Sequence, residues 1–267
     1  MNKSFFLTIF SLLFIFFAVG CASKPDVPEE PYRILFIGDS TTSRNDIPGK
    51  FQKLAELGGH EVVVESSTRD ATSLATHTRL PQTTVKFEDK EWDIVILQET
   101  ETVLLNPESL QEFTMPIIEN YVDIVDEMGG VILLYSSIGF RDGLGDYEEF
   151  SYLDDYESSQ DAVDTAYLEI GSEYGLSIAP VGEVWRAVYD TEPDFDLWQI
   201  DGLHPSPEGA YLAACVFYAA IYNQSPLDLP ISDDFGIDQA AIERIHQIAA
   251  EVVLENQVQH RLPLFTP

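Results

Sequence analysis

Three side chains in this 267-residue sequence have the types and spacing for nucleophilic catalysis: Ser40, Asp201 and His204. Ser40 ends the run Gly38-Asp39-Ser40, directly after the apolar stretch 33–37. A serine just past a buried strand sets its hydroxyl at the edge of a sheet, and the glycine before it permits a tight turn. A hydroxyl alone is a weak nucleophile and needs a base within hydrogen-bond reach. By itself Ser40 reads equally as a turn serine or a helix cap. A base is present far along the chain, in Asp201-Gly202-Leu203-His204-Pro205. An Asp and a His three apart in one loop can pair carboxylate and imidazole. One ring nitrogen is then held, and the other is turned toward a hydroxyl or a substrate. A metal site is the chemical rival for this pair. It needs further ligands, and His60, His246 and His260 are scattered.

The elements that must position these groups follow from the apolar pattern. Candidate strands lie at 33–37, 61–65, 93–97, 131–135 and 177–180. All are rich in Val, Ile and Leu without clean alternation, as in strands covered on both faces of a parallel sheet. Helical patterns separate them. Residues 47–57 follow Asp46 as N-cap and stop at Gly58-Gly59. Residues 107–128 end at Gly129-Gly130, and Pro116 should kink or split them. Residues 156–174 carry apolar positions at helical spacing. Residues 207–222 start with Ser206 as N-cap and Pro207 at the first helical position. Asp238 caps a last helix, with Ile237 and Ile242 placed to form a staple. Strands alternating with helices predict βαβ units, with ligands bound beyond the carboxyl ends of the strands.

The order Ser first, Asp-x-x-His near the end, on such a pattern, resembles the SGNH/GDSL hydrolase superfamily. Gly38-Asp39-Ser40 is similar to its first block and Asp201-Gly202-Leu203-His204-Pro205 to its last, a likeness spanning about residues 32–225. The resemblance implies a three-layer αβα sandwich with a central parallel sheet of about five strands, SGNH/flavodoxin-like. It also implies a serine hydrolase that cleaves carboxylic esters through an acyl-enzyme, with no cofactor and no metal. Ser40 would be the nucleophile, His204 the base and then the acid, and Asp201 its orienting carboxylate. The second and third blocks depart from the family pattern. The family's oxyanion glycine corresponds to Ala71 or Asp70, in Thr68-Arg69-Asp70-Ala71. Its asparagine has no counterpart after strand three, which ends Leu97-Gln98-Glu99-Thr100-Glu101-Thr102. The expected oxyanion hole is therefore Ser40, Ala71 and Gln98, with Thr100 and Thr102 as alternatives to Gln98. Glu99 either organises the site as a buried charge or sits in a solvated loop; the second is the safer expectation. The run Pro180-Val181-Gly182-Glu183-Val184-Trp185 is similar to a segment before the family's last block and is read as structural, with Trp185 in a pocket wall or the core.

The rest of the sequence bounds location and partners. Lys3, the apolar run 5–19 and Ala18-Val19-Gly20-Cys21 make a secretory leader that resembles a lipobox. The expected organisation is a signal peptide at 1–20, a tether at 21–31 and an SGNH-like domain at 32–267. Cys21 would carry the lipid, and the chain would be a bacterial membrane-anchored lipoprotein facing outside the cytoplasm. The rival, an uncleaved span, is short for its task. Cys215 lies in an apolar helical run and is expected as a small core residue. Forty-six acidic against fourteen basic residues give a net charge of −32, which disfavours nucleic acid as a partner and leaves a small-molecule or glycan ester as the expected substrate. The acidic, Tyr-containing segment 142–157 is open between a lid, a Ca²⁺ collector and a solvated loop, the last being favoured; Tyr147, Phe150 and Tyr152 are its substrate-facing candidates. A glycan- or ligand-binding lipoprotein on an SGNH scaffold is the alternative to an esterase. Phosphoryl chemistry has no glycine-rich phosphate cradle to support it.

Overall fold

The computed structural model describes residues 31–88, 91–192 and 195–255. The expected leader, Cys21, nearly all of the tether and His260 lie outside the described residues. In chain order the elements begin β1 (Tyr32–Gly38), α1 (Ser40–Ser43), α2 (Ile47–Leu57), β2 (Val62–Thr68), α3 (Leu74–His77), α4 (Pro81–Glu88) and β3 (Ile94–Leu97). Next come α5 (Glu101–Leu104), α6 (Pro107–Ser109), α7 (Met115–Glu127), β4 (Val131–Tyr135), α8 (Tyr156–Tyr174) and β5 (Ser177–Ala179). The chain then closes with α9 (Val181–Thr191), α10 (Pro207–Tyr222) and α11 (Gln239–Glu255).

The five strands form one parallel sheet in the order β2-β1-β3-β4-β5. Successive side chains of a strand point to opposite faces, so each inner strand feeds two cores. Ile34 and Phe36 of β1 pack with α2, α10 and α11, whereas Leu35 and Ile37 pack with α7 and α8. This is the expected three-layer αβα architecture. The strand order reverses between β1 and β3, and the ends of these two strands open the crevice where such sheets bind ligands. Gly38-Asp39-Ser40 and Gln98-Glu99 occupy those two ends.

Most boundaries follow the sequence signals. The helices Tyr156–Tyr174 and Pro207–Tyr222 run as the pattern predicts, and the Ser206 hydroxyl caps Gly209 N–H. The long helical stretch after residue 107 is broken, as Pro116 requires. A π-helical segment, Leu110–Thr114, precedes α7, and Pro116 falls in that helix's first turn. Strand β2 extends three residues further than its apolar run, to Thr68, because β1 supplies parallel partners out to Gly38. Helix α10 is buried from Gly209 to Tyr222, as an all-apolar helix must be. Cys215 is a free thiol in that core, and burial pushes its pKa well up. The cover on the outer side of α10 is α11, so the C-terminal helix completes the layer.

One polar contact crosses that layer. His246 of α11 is buried, and its Nε2 lies 2.6 Å from the Tyr211 hydroxyl of α10. Burial lowers the imidazole to about 4, so the folded protein holds it neutral. The unfolded chain takes up this proton near the ordinary value of about 6.5. A depressed basic group contributes stability above its unfolded value, and that contribution fades as pH falls toward the folded value. Between pH 7 and pH 5 the parent is expected to lose about 2 kcal/mol more unfolding free energy than His246→Gln. Urea denaturation of both proteins at the two pH values checks this, and equal losses would contradict it.

Candidate active site

Ser40 is the first residue of α1, at the carboxyl end of β1. Asp39 caps that helix, its Oδ1 accepting the Thr41 N–H at 2.9 Å. The turn is then clamped from β3. Gln98 Oε1 accepts both the Asp39 N–H at 2.8 Å and the Thr42 hydroxyl at 2.9 Å. Gly38 makes this approach possible, since a Cβ there would stand 2.5 Å from both Gln98 Oε1 and Thr42 Oγ1. Ser40 is buried, and its Oγ closes no hydrogen bond among the described residues.

The expected base comes from the loop before α10. Asp201 Oδ1 accepts the N–H groups of Leu203 and His204, each at 3.0 Å, which fixes the loop. Its Oδ2 lies 2.7 Å from His204 Nδ1. A carboxylate can only accept here, so Nδ1 is the donor and Nε2 is turned away from Asp201. Partial burial pushes the Asp201 carboxyl up. The hydrogen bonds from His204 Nδ1 and the two backbone N–H groups outweigh it and leave the group at about 2. Asp201 is therefore a permanent anion at neutral pH, as an orienting partner requires. Asn45, in the turn between α1 and α2, ties the two halves of the site. Its Nδ2 donates to the Pro205 carbonyl at 2.8 Å, stitching the Ser40 segment to the His204 loop. Asn45 holds a left-handed φ of 54°, a conformation asparagine tolerates. Among the described residues no hydrogen bond joins Ser40 to His204.

The expected oxyanion donors divide. Ala71 sits with φ +48°, the left-handed region that glycine favours. Of the two candidates, Ala71 is the one with such a backbone; Asp70 is not among the residues with positive φ. Neither the Ala71 N–H nor the Ser40 N–H donates a hydrogen bond among the described residues. Gln98 requires a correction. It is fully buried, with Oε1 held by the Ser40 turn and Nε2 donating to the Glu99 carbonyl at 2.6 Å. It braces the turn from beneath and does not face an oxyanion. Of its two alternatives, Thr100 stands at the N-cap position of α5 without a side-chain capping bond, and its N–H donates to Glu99 Oε1 at 2.8 Å. Thr102 lies exposed on α5.

Glu99 also differs from the safer expectation, because it is buried. Its Oε1 accepts the N–H groups of Leu74 at 3.1 Å and Thr100 at 2.8 Å, and its Oε2 accepts the Thr114 hydroxyl at 3.2 Å. One carboxyl thereby pins the loop carrying Ala71 to the end of β3. Burial raises it to about 7, against the opposing pull of these donors. His77, which the sequence reading passed over, is the matching brace from α3. Its Nε2 donates to the Gly38 carbonyl at 3.0 Å. Its Nδ1 then accepts from Thr83 at 2.9 Å, and Ser67 in turn donates to Thr83 at 2.8 Å. Ser67, His77 and Thr83, sixteen residues from end to end, carry no recognisable motif, so only the fold reveals the relay.

The segment after Arg141 borders the site. Arg141 N–H donates to the Gly202 carbonyl at 2.9 Å, and the Tyr152 hydroxyl reaches the Leu105 carbonyl at 3.4 Å. Leu144, Phe150 and Leu153 are buried, so the loop is anchored by a small apolar core of its own. Phe150 is therefore not substrate-facing, whereas Tyr147 and Tyr152 are exposed. Trp185 is fully buried and packs edge-on against Trp198 at 5.2 Å, which places it in the core.

Known proteins resemble this chain in its fold. No family model matches the chain, and no curated protein matches it. Solved structures do. A DUF4886 family protein from Bacteroides uniformis superposes with a TM-score of 0.72 at 17% identity, over 89% of this chain and 100% of its own. A protein assigned to the SGNH hydrolases from Slackia heliotrinireducens gives 0.57 at 24% identity, over 70% of this chain and 97% of its own. An acetyl xylan esterase gives 0.54 at 12% identity, over 71% and 99%. With its five-stranded parallel sheet, its serine turn at the end of β1 and its Asp-His loop before α10, the chain has the SGNH hydrolase fold.

Proposed function

We propose that this chain is a serine esterase that cleaves carboxylic esters through an acyl-enzyme. The observation that carries the reading is the Asp201–His204 pair, in which Nδ1 donates to the carboxylate and leaves Nε2 facing away from it, with its loop stitched to the Ser40 turn by Asn45. His204 Nε2 takes the Ser40 proton as Oγ bonds to the ester carbonyl carbon. The resulting oxyanion meets the N–H groups of Ser40 and Ala71. Collapse breaks the bond to the alkoxy group, which leaves with the proton from His204. Water then attacks the acyl-Ser40 while His204 takes its proton, and returning that proton to Oγ releases the acid and restores the site.

The acyl group proposed is short, with acetyl or a similar group on carbohydrate as the substrate class. The likeness to an acetyl xylan esterase supports the carbohydrate part at the level of fold. The leader and the lipobox-like run ending at Cys21 support an extracytoplasmic, membrane-anchored location through an N-terminal lipid. The acidity of the chain argues against nucleic acid as a partner. A binding lipoprotein on the same scaffold is favoured by one observation: Gln98 is held under the turn, which leaves backbone amides as the oxyanion donors.

Purified Cys21→Ser protein is expected to hydrolyse p-nitrophenyl acetate and to be labelled by a fluorophosphonate. Ser40→Ala should abolish labelling, and Ser40→Ala and His204→Ala should each lower kcat by at least about 10³-fold. Folded protein that neither turns over nor labels would move the binding reading ahead. Gly38→Ala is expected to displace Gln98, lowering kcat by about tenfold or more and destabilising the fold by about 1–3 kcal/mol. Paired kinetics and urea melts check it, and an unchanged kcat would show that the Gln98 brace does not set the serine's position.

A further inference from the structure

With no direct hydrogen bond between Ser40 and His204, their separation is set by whatever joins the two segments that carry them. On the serine side the path is short. The Arg44 N–H donates to the Ser40 carbonyl at 2.9 Å, and the Asp46 N–H to the Ser43 carbonyl at 3.1 Å. Asn45 stands between these two, and both Asn45 and Asp46 hold left-handed backbones, with φ of 54° and 55°. Residues other than glycine enter that region singly as a rule, so a consecutive pair is strain that its surroundings must hold in place. Asp46 turns back to cap α2, its Oδ1 accepting the Gly49 N–H at 3.1 Å. Asn45 sends its side chain outward, and Nδ2 donates to the Pro205 carbonyl at 2.8 Å. Among the described residues this is the one hydrogen bond between residues 40–46 and the loop 197–206.

On the histidine side a single residue closes the loop. The Gln199 N–H donates to the His204 carbonyl at 2.8 Å, and the Gln199 carbonyl accepts the Gly202 N–H at 3.0 Å. Its side chain completes the set, Nε2 donating to the Pro205 carbonyl at 3.1 Å. The flanks follow suit: the Ser206 N–H donates to the Leu197 carbonyl at 2.8 Å, and Trp198 pairs antiparallel with Pro205. Pro205 is buried and its ring fixes φ, so its carbonyl moves with His204. A carbonyl oxygen has two lone pairs, and here each meets one side-chain amide, from Asn45 and from Gln199.

We propose that Asn45 and Gln199 are positioning residues that act in series through the Pro205 carbonyl: Gln199 stiffens the Asp201–His204 loop, and Asn45 ties the stiffened loop to the serine turn. Breaking either link lets His204 swing relative to Ser40. A displacement of about 1 Å at a catalytic group can cost about 10²-fold in rate. The catalytic part of the inference rests on the esterase reading; the joint at Pro205 does not.

The test compares the full-length Cys21→Ser protein with Asn45→Gly, Asn45→Ala, Gln199→Met and the Asn45→Gly/Gln199→Met double variant. Glycine accepts the left-handed backbone and alanine resists it, while neither has an amide to offer. Methionine keeps the reach of glutamine without its donor. In each single variant kcat for p-nitrophenyl acetate is expected to fall by about tenfold or more, with KM changed by less than about twofold. Links in series fail together, so the double variant should be slowed by about the factor of one single variant and not by the product of two. Asn45→Ala should unfold at lower urea than Asn45→Gly and yet lose the same kcat. Near-parental kcat in Asn45→Gly or Gln199→Met overturns the inference, and so do losses that multiply. A second readout is amide hydrogen-exchange protection at Gly202 and His204, which should fall in Asn45→Gly and in Gln199→Met. If the parent hydrolyses no ester while protection falls in both variants, the esterase reading fails and the joint stands. Unchanged protection refutes the joint whether or not the protein is active. Should Asn45→Gly not fold, Gln199→Met carries both readouts alone, and an unchanged value of either refutes the role.

Discussion

The contact on which the site depends is the Gln98 side chain under the Ser40 turn. A nucleophile at a strand end needs a sharp change of chain direction, and such a turn leaves backbone groups that helix and sheet do not satisfy. Gln98 Oε1 accepts from the Asp39 N–H and from Thr42, closing those needs with one buried amide. The arrangement works because β1 and β3 are neighbours at the point where strand order reverses, so the residue after β3 falls beneath the residue after β1. Leaving such a buried donor unmatched costs about 1–3 kcal/mol, which makes the brace a condition for the turn rather than an ornament. His77 acts in the same way from the other side, holding the Gly38 carbonyl through a relay that runs to Ser67.

Placing acids in this wall has an energetic logic. Buried carboxyls are unfavourable as anions, and Glu99 and Glu101 both shift upward as a result. Glu99 is compensated by three donors that close two loops onto one another, so its burial fixes the Ala71 loop in space. Glu101 has no such set, and neutrality is its compensation. The two carboxyls sit two residues apart, and their opposite solutions follow from how many donors each meets. The exposed acids that give the chain its charge of −32 have no part in this wall.

The sheet and the major helices were legible because their signals are local. Buried strands read as Val/Ile/Leu runs, and the caps at Asp46, Ser206 and Asp238 read from side-chain type. The candidate residues Ser40, Asp201 and His204 could be picked out in the same way, because they stand next to elements that could be recognised. What the sequence did not disclose is every contact between segments far apart in the chain. Gln98 looked like an oxyanion donor because it follows a strand, but its role is decided by Asp39, 59 residues earlier. Glu99 looked solvated in an acidic, polar run, yet Leu74 and Thr114 arrive from other elements and bury it. Short helices such as α3 and α4 carry too few residues for periodicity, which is why His77 had no context. Asn45 was equally silent, since its partner lies 160 residues away.

Ala71 holds a backbone conformation that favours glycine. An alanine at φ +48° costs about 1–2 kcal/mol relative to a right-handed backbone, so the loop must be held there by its surroundings. The exposed Arg44–Asp70 ion pair, 2.8 Å long, contributes little of this restraint, because solvent screens both partners. The stronger restraint is buried: Glu99 grips Leu74 N–H, three residues on, and the Arg69 N–H reaches back to the Gly38 carbonyl at 3.3 Å. The loop is thus tied at both ends to the two strands that flank the serine. Strain that persists under such over-determination tends to mark positions where the backbone itself is used. At Ala71 the group presented is an N–H, which alanine supplies as well as glycine. Exchanging Ala71 for glycine would therefore alter the energy of the loop and leave the N–H in place.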